Sequence, residues 1–184
     1  MSDRVAPEIK AAARLLLEHA ARASVAPTAT LTSDVRSVFI VRSGGLDQLG
    51  TFLTRLQTLA AGASVCVLGR TGDAAVLPRF WPGRWTCHEL AGDAPFDWAA
   101  IQPDAGLCAA ARACEAHVFL MRNASATGYD NIQDILIRLA GDRWFGVTPE
   151  DRMVQFEAAT MADLRSHTRL RDAIVEWAAR LPPA

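Results

Sequence analysis

Lysine is almost missing from this chain: Lys10 is the single example among 19 basic residues, so 19 − 1 leaves eighteen arginines. That bias fits a GC-rich, bacterial genome. Tyrosine is equally scarce, with Tyr129 alone. The formal net charge is only -1, which leaves no basic field to draw nucleic acid or an anionic membrane. No apolar run approaches the length of about eighteen residues that a spanning helix requires. Met1-Ser2-Asp3-Arg4 leads into a charged helix rather than a signal-peptide core, so a cytoplasmic location is expected. The four cysteines, Cys66, Cys87, Cys108 and Cys114, have no C-x-x-C spacing, which argues against zinc and for buried, reduced thiols. The Asn123-Ala124-Ser125 sequon carries no meaning without secretion.

Familiar chemical signatures are absent as well. No dinucleotide fingerprint, P-loop lysine, G-x-S-x-G elbow, H-E-x-x-H or kinase set occurs. The strand ends lack the aspartates of a phospho-receiver, and no acidic residue sits beside Arg70 for a methyltransferase cofactor ribose. No metal site and no cofactor is implied.

What remains is the composition of an ordinary globular domain: 184 residues, 51% hydrophobic and 21% charged. Residues 1–35 read as an N-terminal helix from about Pro7 to Ala23 plus a Thr/Ser/Pro-rich connector, and 36–184 as one α/β domain. Short apolar runs at Val38 to Val41, Val65 to Leu68 and His117 to Met121 predict strands covered on both faces. Trp85 to Leu90 is a further strand interrupted by polar residues. Helical periodicity marks Asp47 to Ala61, Ala105 to Ala113, Tyr129 to Ala140 and a C-terminal helix carrying Leu170, Ile174, Trp177 and Leu181. A short helix over Ala74 to Phe80 stops at Pro82. Arg143 to Val147 and Arg152 to Phe156 flank a hairpin turn at Thr148-Pro149-Glu150-Asp151. The alternation predicts a single doubly wound, mainly parallel sheet, Rossmann-like or flavodoxin-like, with extra N- and C-terminal helices.

Three of the strands end in arginine before a loop of small or polar residues. Arg42 precedes Ser43, Gly44 and Gly45; Arg70 precedes Thr71; Arg122 precedes Asn123, Ser125, Thr127, Tyr129 and Asn131. The carboxyl ends of parallel strands line the ligand crevice, and guanidinium groups there suit phosphate or carboxylate. Each feature has a plainer reading. The glycines also suit a tight turn, Asp47 a favourable charge in the first helical turn, Thr71 an ordinary turn, and Thr127 a helix cap. His88 and His117 have no neighbour in sequence that argues for acid–base work, and the tryptophans read as packing.

Val38 to Asp47, entering an amphipathic helix, resembles the opening of heptosyltransferase-like GT-B glycosyltransferases, which run from an apolar strand through a basic residue and small residues to Leu-Gly-Asp. Here Leu46 meets Asp47 directly, without the glycine. Gly128-Tyr129-Asp130-Asn131 and the strand at Arg143 to Val147 also look similar to such amino-terminal halves, so the likeness spans about 36 to 156. It implies a base for an acceptor hydroxyl at Asp47 and a sugar-phosphate or nucleotide-sugar ligand. A GT-B enzyme has two such domains and this chain one, so a protein partner or homodimer is expected beside the alternative of a non-catalytic interaction module.

Overall fold

The computed structural model describes residue 31 and residues 33–92, 94–122, 130–139 and 143–156. The helices expected near 7–23 and from about 160, with Trp177, and the loop residues Asn123, Ser125, Thr127 and Tyr129 lie outside the described residues.

Six strands form one sheet: β1 (Ser37–Val41), β2 (Ser64–Arg70), β3 (Trp85–Leu90), β4 (Ala116–Leu120), β5 (Trp144–Val147) and β6 (Met153–Phe156). Their spatial order is β3-β2-β1-β4-β5-β6. The first five run parallel, and β6 pairs antiparallel with β5 through Trp144↔Phe156 and Val147↔Met153. The expected neighbours at Val38, Val65 and His117 are indeed adjacent and parallel, with β1 between the other two.

Side-chain alternation divides the core in two. Val38, Ile40, Val65, Val67, Val118 and Leu120 pack under α1 (Leu46–Ala60) and α2 (Asp73–Phe80), meeting Phe52, Leu53, Leu56 and Leu77. Phe39, Val41, Cys66, Leu68 and Phe119 face the other way, against α3 (Trp98–Ile101), α4 (Ala105–Arg112) and α5 (Asp130–Leu139). Burial on both faces is why β1 and β4 read as unbroken apolar runs. The one-turn helix α3 has no periodicity to announce it; its start is set by Asp97, whose carboxylate accepts from the Ala100 amide at 2.8 Å. No helix among the described residues is long and apolar enough to cross a membrane.

The strand order reverses direction between β1 and β4. Connections leaving β1 and β4 therefore diverge to opposite faces, and a crevice opens between their carboxyl ends.

Candidate functional site

A cleft of about 440 Å³ lies at this reversal. Its walls come from Gly45, Asp47, Gln48 and Thr51 at the start of α1, from Met121 and Arg122 after β4, and from Pro149 and Asp151 in the β5–β6 turn. The first turn of α1 opens on Gly45, which is extended and supplies no side-chain cap, so the helix begins with unclaimed amide groups. Asp47 stands exposed in that turn. Arg122 is exposed too, and its Nε donates to the Ser43 carbonyl at 3.1 Å, tying the two loops together.

Gln48 closes the floor. Its Nε2 lies 3.0 Å from the Met121 carbonyl and 3.1 Å from those of Val147 and Thr148, so one amide holds the ends of β4 and β5. Ser43, buried, donates to the Leu120 carbonyl at 2.6 Å and fixes the loop from below. Gly44 follows from this packing: a Cβ there would stand 2.0 Å from the Gln48 Oε1. Its lack of a side chain admits the Gln48 amide.

The three arginines take different partners. Arg42 turns to Asp73, with its Nε on the Asp73 Oδ2 and Nη1 3.1 Å from the Gly44 carbonyl. The same Oδ2 accepts the Arg70 main-chain amide at 2.6 Å. Arg70 sends its guanidinium over the Phe96 ring, 3.9 Å from the centroid, and onto the Ala94 carbonyl. Asn131 reaches the same strip of chain, donating to the Phe96 carbonyl. Thr71 donates to the Leu90 carbonyl at 3.2 Å. Of the residues expected from the sequence, Gly45, Asp47 and Arg122 line the cleft with Arg122 held by Ser43, while Arg42, Gly44, Arg70, Thr71 and Asn131 hold the protein's own chain.

Sequence reasoning missed Gln48, Asp73, Thr51 and Asp151. Asp73 had the most visible signal, a carboxylate three residues after a strand-end arginine, at the first position of a helix. A second pairing also escaped it: His88 Nδ1 sits 3.2 Å from the Asp104 Oδ2. Asp104 is chiefly the cap of α4, accepting the Leu107 amide at 2.8 Å, and that bond, with His88 behind it, lowers its carboxyl below the usual carboxylate range. His117 is buried with Nε2 3.0 Å from the Ala111 carbonyl, which requires the proton on that nitrogen. Among the described residues no group of three His, Cys, Asp or Glu side chains is placed to hold a metal ion.

Chemically, the cleft joins one guanidinium and open helix amides, which favour an anion, to carboxylates and a hydroxyl, which favour hydrogen-bond donors. No protein-family model matches the chain, and no curated protein matches it.

Proposed function

We propose that this chain binds an anionic sugar or a phosphorylated metabolite in the cleft between β1 and β4, in the manner of the acceptor-side half of a GT-B glycosyltransferase. One observation carries the reading: the cleft lies at the reversal of strand order, with the start of α1 and Arg122 on its walls. An anionic group sits against Arg122 and the amides that open α1, where the helix dipole favours negative charge. Pro149, exposed in the β5–β6 turn, supplies an apolar surface for the face of a sugar ring. Asp47 is exposed on the same cleft, and in this reading it takes the proton of an acceptor hydroxyl, with the donor half supplied by another chain.

A second reading is a non-catalytic, flavodoxin-like interaction module whose outer helices dock protein. What favours it is the engagement of Arg42 and Arg70 by Asp73, Ala94 and Phe96, which leaves one of the three strand-end arginines on the cleft. Calorimetric titration with inorganic phosphate, glucose 6-phosphate and UDP-glucose separates the two. The binding reading expects at least one of the three to bind, and Arg122→Ala to weaken it by about 1.5–3 kcal/mol, the worth of a charge-assisted contact. Silence from all three at roughly 10 mM, where even a millimolar site would be filled, leaves the interaction module standing.

A further inference from the structure

Asp151 is the one described non-glycine residue with a positive φ, at 57°. The turn after β5 demands this conformation. Thr148 donates its amide to the Arg152 carbonyl at 2.9 Å, the Asp151 amide returns to the Thr148 carbonyl at 3.0 Å, and the chain must then bend left-handed to re-enter the sheet. Glycine fits such a position without steric strain, and aspartate is tolerated there mainly because its short side chain bonds nearby backbone. Asp151 makes no such bond. Its Oδ1 is buried without a hydrogen-bond partner, and its Oδ2 lies 3.4 Å from the Arg55 guanidinium, a half-exposed pairing of slight worth. The firmer tie runs from Arg55 to the Asp151 main-chain carbonyl, which any residue would offer. The turn tolerates aspartate, but nothing in it uses the Oδ1 atom. The side chain lines the cleft beside α1, and the terminal torsion of aspartate is broad enough to turn Oδ1 toward it.

We infer that Asp151 is the specificity-determining residue of this cleft, selecting ligands that carry a hydroxyl beside their anionic group. The inference rests on the binding reading above. Arg122 and the α1 amides take the anion. A hydroxyl of the ligand donates to the Asp151 carboxylate, whose Oδ1 has no partner and turns outward to receive it. A bare anion gains nothing from Asp151 and is repelled by it, so the residue discriminates by rewarding one ligand and opposing the other.

The test is calorimetric titration of inorganic phosphate and glucose 6-phosphate into the wild-type chain, Asp151→Gly and Asp151→Asn. The wild type should bind the sugar phosphate at least about tenfold more tightly than phosphate. Asp151→Gly should hold phosphate as well as the wild type or better, lose the preference, and melt no lower, because glycine suits the turn. Asp151→Asn, with an acceptor but no charge, should retain part of the preference. A tenfold preference that survives in Asp151→Gly, or that the wild type never shows, overturns the role of Asp151 and leaves the cleft reading intact. Failure of the wild type to bind either probe overturns the role of Asp151, and the cleft reading falls with it when UDP-glucose is silent too.

Discussion

The carboxylate of Asp73 reaches from the start of α2 into the end of the sheet, where a single oxygen accepts from both the Arg42 side chain and the Arg70 main chain. It is 5% exposed, and the Arg42 side chain 15%, so neither charge is well solvated. Gly69 makes the approach possible: a Cβ there would stand 2.4 Å from the Asp73 Oδ2 and 3.1 Å from its Cβ. Removing one partner of a buried pair leaves the other charge uncompensated, a larger effect than loss of the pair as a whole. Asp73→Ala is therefore expected to cost about 3–5 kcal/mol in urea unfolding. Gly69→Ala, which forces the carboxylate aside, should cost about 1–3 kcal/mol. A cost below roughly 1 kcal/mol for Asp73→Ala would show that Arg42 finds water instead. The spacing of Asp73 after Arg70 was legible in the sequence; its pairing with Arg42 was not. The strand-end arginines stood out, but Asp73 lies 31 residues from Arg42, and only the β1–β2 register brings them together.

The elements differ in how openly the sequence declares them, and burial explains the difference. β1, β2 and β4 are covered on both faces and must be apolar throughout, so their runs are visible without a partner. β3 sits at the sheet edge with a half-exposed pattern, and its polar interruptions are what an edge tolerates. Helix α1 shows an apolar stripe but hides its other task, because Gln48 looks like any solvated residue of a first turn. That glutamine clamps β4 to β5, and Gly44 exists to admit it. Gln48→Ala should leave the Met121 carbonyl without its donor, while the Val147 and Thr148 carbonyls keep the Met121 and Asp151 amides, and cost about 1–3 kcal/mol. Gly44→Ala displaces the same side chain, so the double variant should be well short of the sum of the singles. Additive effects in urea unfolding would mean that the glycine and the glutamine act independently.

At the scale of the whole molecule, the strand order decides where the cleft opens, and the scarcities of the composition decide how stability responds to alkali. Burial raises the thiol of Cys66 and pushes those of Cys87 and Cys114 up to about 12, from an ordinary 9.0. All four cysteines are free. A thiol whose pKa is raised on folding favours the folded state only while both states stay protonated. Below 9.0 nothing is lost; between 9.0 and about 12 the unfolded chain ionises first and the fold weakens. Each such thiol contributes at most about 1.4 kcal/mol of loss per pH unit through that window. In most proteins lysine and tyrosine titrate over the same range and mask the effect. Here each occurs once, and the eighteen arginines (19 − 1) stay charged. The acid side has the opposite sign: Asp104, lowered by its bond to the Leu107 amide, supports the fold above the ordinary 3.8 and releases that support as pH falls through its folded value. Urea unfolding across pH should thus give a plateau from about 5 to 9 and a decline above it. Cys87→Ala with Cys114→Ala should flatten the alkaline decline while leaving the acid side unchanged. An alkaline limb as steep in the double variant as in the wild type would assign the loss to some group other than these thiols.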